Sequence, residues 1–173
     1  NLNSPYAIDK FAMELYSKVM GKISKFSNIG LRFFNVYGPR QDPNSPYSSV
    51  ISIFVSQILK NNHIIINGGT QTRDFIFVKD VAHSILKAIE LCQNKYISTS
   101  VNILTGRSYT IEDLAKLIMK KTGNFVKKKY EPFQIGDPMM SSGSIKKMEK
   151  LLGVDCSNFI KLELGLDETI NYI

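Results

Sequence analysis

Segment 29–37, IGLRFFNVY, is the strongest constraint on the fold. It is short, aromatic-rich and largely apolar, and Gly38-Pro39 closes it. Such a run reads as a strand covered on both faces, the habit of parallel sheets packed between helices. The flanking sequence agrees. Ala7, Phe11, Leu15 and Val19 recur at helical spacing between Tyr6 and about Lys22, and Pro5 suits a first helical turn after Ser4. Gly21 is expected to weaken or end that helix. Pro43, Asn44, Ser45 and Pro46 mark a loop, with a helix expected over 49–59. Short strands are expected at 63–66, 75–78 and 101–104. Asp80 is a candidate cap for a helix running to about Leu91, with Val81, Ile85, Ala88 and Ile89 inward. Thr110-x-x-Asp113 resembles a capping box opening a helix with Ile111, Leu114, Leu117 and Ile118 on one face, stopped at Gly123. The tail offers a strand over 126–130 and helices over 144–152 and 167–172. The order is α/β, with too few long strands for a complete doubly wound sheet.

Composition removes several function classes. The chain has 173 residues, 43% hydrophobic and 21% charged, which is the range of a globular domain or one domain with a small second. No apolar run reaches the ~18 residues of a membrane span, so no membrane partner is expected. Cys92, Cys156, His63 and His83 are the whole stock of cysteine and histidine. They form no CxxC and no His cluster, so neither a disulfide framework nor a metal site is expected. The net charge is 22 − 15 = +7. Eight lysines between Lys120 and Lys150 face only Glu131, Asp137 and Glu149. A nucleic acid or a solvated surface would each account for them. No recognisable nucleic-acid motif accompanies them, so no nucleic-acid partner is expected. The segment would also suit the surroundings of an anionic ligand. The first residues show no charged n-region and apolar h-region, so a secretory precursor is not expected, and the expected setting is the cytoplasm.

Tyr6-x-x-x-Lys10 carries the first chemical signal. Residues four apart share a helix face, so a phenol lies beside an ammonium. A neighbouring cation favours phenolate, and the pair can then act as a general base. Alone the spacing is weak, since a partly buried tyrosine with a surface lysine gives the same pattern.

Two further blocks follow in order: LRFFNVYGPRQ at 31–41 and GTQTRDFIFVKDV at 69–81. With SPYAIDK at 4–10, they resemble the C-terminal half of the NAD-dependent epimerase/dehydratase family, which are extended short-chain dehydrogenase/reductases. UDP-glucose 4-epimerases are the nearest familiar members. The resemblance implies part of a Rossmann-type parallel sheet plus a smaller substrate-binding α/β domain. Residues 1–40 would be a remnant of the NAD-binding domain and 41–173 mainly the nucleotide-sugar domain, with 74–100 returning to the Rossmann-like sheet. It also implies that Tyr6 removes a proton from a sugar hydroxyl while NAD takes the hydride. Lys10 would support the phenolate and hold the nicotinamide ribose, and Phe34 would contact the cofactor. Asn35 and Arg73 would hold the diphosphate of a UDP-sugar, where a guanidinium forks onto phosphate oxygens. Asp137 would meet the nucleotide ribose, and Val50 and Ile66 would line the nucleotide pocket. Turn formation for Asn35, a loop carboxylate for Asp137 and core packing for Val50 and Ile66 are the plainer alternatives. Asp74 reads as structural. The intact enzyme would be a homodimer, with Phe11 and Leu15 at that interface or in the core.

The departures bear on substrate. Asp9 stands where relatives usually carry Ser, Asn67-Gly68-Gly69 replaces Gly-Asp-Gly, Gln134 replaces an Arg, and Ser144 replaces Asp. The family's GxxGxxG turn and its catalytic Ser or Thr do not occur in the chain. The 173 residues are therefore expected to be a C-terminal portion, unable alone to hold NAD tightly or turn over. A 4,6-dehydratase or decarboxylase on the same scaffold, or a non-catalytic sugar-nucleotide module, are the alternatives.

Overall fold

The computed structural model describes residues 5–45, 48–60, 63–133 and 136–172. Ser4, Pro46 and Gln134 lie outside them, and so does any capping by Ser4. The chain begins with α1 (Pro5–Ser24), β1 (Asn28–Phe33) and β2 (Asn35–Tyr37). Next come α2 (Val50–Lys60), β3 (His63–Asn67), β4 (Thr72–Phe77), α3 (Val78–Asn94) and β5 (Ser98–Ile103). The last third holds β6 (Ser108–Thr110), α4 (Ile111–Thr122), β7 (Lys127–Glu131), α5 (Lys146–Leu152) and α6 (Leu162–Tyr172). A single 3-10 turn, Cys156–Asn158, precedes α6.

The architecture is α/β with mainly parallel pairing. β1 pairs with β5, β2 with β4 and β3 with β7, all parallel, and β6 joins β4 antiparallel. The expected single strand over 29–37 therefore divides at Phe34. Its first part runs along Ser98–Ile103, and the Phe34 N–H donates to Ile103 O at 3.0 Å. From Asn35 onward it pairs with Phe75–Phe77 instead. Asn35 thus sits where one chain segment changes partners.

Two hydrophobic clusters flank β4, whose alternating side chains feed both. Phe75 and Phe77 join Tyr37, Phe54, Ile66, Leu114 and Leu166 on one side. Ile76 joins Val101, Ile103, Leu104, Met148 and Phe159 on the other. Each fully buried Ile, Leu or Phe stabilises by about 1.5–3 kcal/mol relative to its exposed state. Helix α4 follows its sequence signals. Thr110 Oγ1 accepts from the Asp113 N–H at 3.0 Å and donates to Asp113 Oδ2, and Gly123 ends the helix in the left-handed region at φ 71°.

Several expectations need correction. Asp80 is not a cap: α3 starts two residues earlier, behind Phe77, and Asp80 lies in its first turn. There its Oδ2 accepts from the Ile160 N–H at 3.0 Å, so it tethers the chain ahead of α6. Ile89, expected inward, is exposed. Gly21 does not end α1 but is its only buried residue, because a Cβ there would collide with Asn28 and the Ser98 hydroxyl. Phe11, Leu15 and Val19 lie exposed, outside both clusters. Helix α6 begins five residues before the expected Asp167, and β6 had no expected counterpart.

Candidate functional site

A cleft of about 590 Å³ opens between the N-terminal end of α2, β3 and the start of β4. Asn35, Val50, Arg73 and Asp137 all line it, although they come from four separate stretches of chain. Arg73 organises its floor. It is buried on β4, whose residues from Arg73 to Phe77 are covered on both faces, and three of its five N–H groups are already committed. Nη1 donates to Thr72 O at 2.8 Å and to Pro138 O at 2.7 Å. Nη2 donates to Asp137 Oδ2 at 2.5 Å in an ion pair. Among the described residues, nothing accepts from Nε or from the second Nη2 hydrogen. A buried guanidinium held on three sides is preorganised, so little side-chain entropy is lost when an anion takes the remaining donors.

Asn35 is held by its own side chain, whose Nδ2 donates to Asp74 O at 3.2 Å. Asp74, next to Arg73, faces the other way. Its carboxylate accepts from Thr105 N–H and Oγ1, both at 2.9 Å, and from Gly106 N–H at 2.7 Å. Burial pushes its carboxyl upward in pKa, and those donors pull part of the way back. Asp74 is therefore a structural anchor for the β5–β6 turn. Val50 lies half-buried, against both the cleft and the first cluster.

Ile66 is placed differently from its sequence reading. It is fully buried in the first cluster, and Ile65 and Asn67 line the cleft instead. Strand alternation decides this, since Ile64 and Ile66 share the core face of β3. Gln57, Asn67 and Glu131 are cleft residues that the sequence reading missed. The Ile65 N–H donates to Gln57 Oε1 at 3.1 Å, which fixes that amide. Asn67 Oδ1 is buried with no hydrogen-bond partner among the described residues, an acceptor suited to a ligand donor. Gln71 shapes the turn beside it, accepting from Gly69 N–H and donating to Asn67 O, each at 2.6 Å.

The lysine-rich segment does not surround this cleft. None of the eight lysines between Lys120 and Lys150 is in the lining, which carries Arg73 against Glu131 and Asp137. Attraction for an anion is thus local to Arg73. Two of these lysines pair elsewhere, Lys121 with Asp167 at 2.6 Å and Lys128 with Glu112 at 2.5 Å.

Tyr6 and Lys10 lie on α1 beside a second pocket, of about 550 Å³, whose lining shares no residue with the first. The Lys10 ammonium stands 5.4 Å from the Tyr6 ring centroid, so one helix face does bring phenol and cation together. Tyr6 is 67% exposed. Phe34 is half-buried against the second cluster, between Arg32 of the α1 pocket and Asn35 of the cleft. Among the described residues no His, Cys, Asp and Glu group could hold a metal, and no helix is long and apolar enough to cross a membrane.

Residues 1–103 match the model of the NAD dependent epimerase/dehydratase family. The chain belongs to this family. It is 28% identical over 173 residues to the UDP-glucose 4-epimerase of Mycolicibacterium smegmatis, covering 99% of this chain and 53% of the relative. The structure of UDP-glucose 4-epimerase from Thermotoga maritima with UDP-glucose superposes with a TM-score of 0.86 at 34% identity, over 98% of this chain and 53% of that one. UDP-glucuronic acid 4-epimerase from Bacillus cereus, in complex with UDP-glucuronic acid and NAD, gives a TM-score of 0.86 at 29% identity, over 98% and 52%. The chain therefore spans about half the length of the relatives it matches, and NAD is the family's cofactor.

Proposed function

We propose that this chain is the nucleotide-sugar-binding, C-terminal portion of an NAD-dependent nucleotide-sugar epimerase of the UDP-glucose 4-epimerase kind. The observation that carries this reading is the cleft. Arg73, Asp137, Asn35 and Val50, each singled out by sequence, converge on it from separate elements. In this reading the two remaining Arg73 N–H groups and Asn35 take the diphosphate of a UDP-sugar, and Asp137 takes the ribose. The Asn67 carboxamide and the β3 edge lie at the remaining side. The sugar would extend past Phe34 toward Tyr6. Tyr6 accepts the proton of the sugar hydroxyl and returns it, and the Lys10 ammonium stabilises the phenolate between those steps. NAD, when bound against Tyr6, Lys10 and Phe34, supplies the reversible uptake of hydride from the same carbon. The exposure of Tyr6 fits a partner surface that a cofactor-binding half would provide.

Residues 1–40 with 74–100 would be the edge of that cofactor domain, and most of 41–173 the sugar-nucleotide domain. The exposed α1 face with Phe11 and Leu15 would serve a homodimer of the intact enzyme. The test is inversion at the sugar carbon, followed by NMR with UDP-glucose and NAD. Joined to the cofactor-binding half of a relative, the chain is expected to turn over, and failure with an intact Tyr6 would refute the reading. The 173 residues alone are expected to be inactive, and turnover by them would refute the need for a second half.

A further inference from the structure

Helix α1 lies along β1 and β5 but buries little of itself there. Gly21 is its only buried residue, and its large apolar side chains are exposed. Near its C-terminal end, Tyr96 Oη donates to Gly21 O at 2.9 Å and Ser17 Oγ donates to Asn28 Oδ1 at 2.8 Å. One turn nearer the N-terminus, Glu14 accepts from Arg32 twice. Arg32 Nε reaches Oε1 at 2.6 Å and Nη2 reaches Oε2, a side-on fork. That carboxylate is held below the usual Glu range, chiefly by the bond from Arg32. Among the described residues, no other side-chain hydrogen bond joins α1 to the sheet closer to Tyr6.

We propose that Glu14 and Arg32 are a positioning pair that sets the Tyr6–Lys10 end of α1 relative to the nucleotide cleft. The inference rests on the acid–base reading of Tyr6 and Lys10 given above. Tyr6, Lys10 and Glu14 follow at i, i+4 and i+8 on one helix face, and all three line the α1 pocket with Arg32. Arg32 lies on β1, three residues before Asn35, which lines the cleft. The fork therefore ties the helix that carries the proton-transfer residues to the strand that leads into the diphosphate site. The two pockets share no lining residue, so their spacing depends on such a link. Exposed ion pairs contribute little to stability, and the Arg32 side chain is 51% exposed. A planar two-bond fork does fix direction, however. Its value here is orientation, where a displacement of about 1 Å can cost about a hundredfold in rate.

The test uses Glu14→Gln, Arg32→Gln and the exchanged pair Glu14→Arg with Arg32→Glu. In the chain itself, Glu14→Gln is expected to speed amide hydrogen exchange at residues 9–13 about tenfold or more, with α3 unchanged. In the protein joined to a cofactor-binding half, kcat is expected to fall about 10- to 100-fold. KM and UDP affinity should stay within about twofold, and the exchanged pair should recover most of kcat. Unchanged exchange and kcat in Glu14→Gln would overturn the proposal. A parallel loss of KM and UDP affinity would also overturn it, since that marks general loosening. If wild type fails to turn over while exchange responds as expected, the acid–base reading fails and the positioning pair stands.

Discussion

The cleft and the Tyr6–Lys10 surface hold their polar groups in opposite ways. In the cleft, Arg73 is buried, bonded to two carbonyls and a carboxylate, and flanked by Asn35 on its own tether. On α1, Tyr6 is 67% exposed, and its neighbour Lys10 reaches it only across the ring face. The difference teaches where preorganisation resides. Two packed clusters around β4 fix the cleft, whereas α1 rests on Gly21 and a few hydrogen bonds. Binding is therefore expected to be a property of this chain, and proton transfer a property that needs a covering surface as well.

The sharpest way to break this contrast is Tyr6→Phe. In the protein joined to a cofactor-binding half, it is expected to lower kcat by about 10²–10⁴-fold, the usual worth of a proton-transfer group. Nucleotide-sugar affinity should stay unchanged by calorimetry. A matching loss of affinity would show that the two regions are one site.

Next in size are substitutions that test what fixes the cleft. Ile66→Ala is expected to destabilise by about 2–5 kcal/mol in urea unfolding, as a core truncation does. Ile65→Ala should cost less than about 1 kcal/mol and weaken ligand binding instead. The reverse ranking would return Ile66 to the cleft. Asp74→Ala leaves the Thr105 and Gly106 N–H groups without their acceptor and should cost about 2–4 kcal/mol, with UDP affinity changed only through stability.

These residues also show how far the sequence could be read. The motif blocks contain Asn35 and Arg73, and the structure brings Val50 and Asp137, taken from outside those blocks, to line the same cleft. For Ile66 the sequence left pocket lining and core packing open, because an all-apolar strand does not announce which face is inward. The alternation became clear only from Ile64 and Ile66 packing under α2 and α4. Gln57 and Glu131 reach the cleft from α2 and from β7, which pairs with β3, and no local signal marks a contact made that way. Asp80 had the residue type of a cap, but tertiary pairing with Ile160 N–H took it instead. The division of 29–37 at Phe34 depends on which strands lie alongside, so its sequence could not display it.

The smallest effect concerns acid. Glu112 is held below its ordinary pKa, chiefly by the bond from Lys128, and Tyr130 Oη donates to it as well. A lowered folded-state pKa stabilises above the unfolded Glu value near 4.3 and is lost as pH falls through the folded one. Asp74, raised by burial, has the opposite sign, its contribution fading as pH rises through its folded value. Glu112→Gln should therefore flatten the acid side of the stability profile by less than about 1 kcal/mol while leaving the cleft intact. A steeper acid loss than wild type would contradict that sign.

The most direct measurement is calorimetric titration of this chain with UDP-glucose, comparing wild type, Arg73→Ala and Tyr6→Phe. Saturable binding is expected in wild type, about 10- to 100-fold weaker in Arg73→Ala, the loss of a charge-assisted contact of roughly 1.5–3 kcal/mol, and unchanged in Tyr6→Phe. No binding by wild type, or equal binding by Arg73→Ala, would contradict a nucleotide-sugar cleft organised by Arg73.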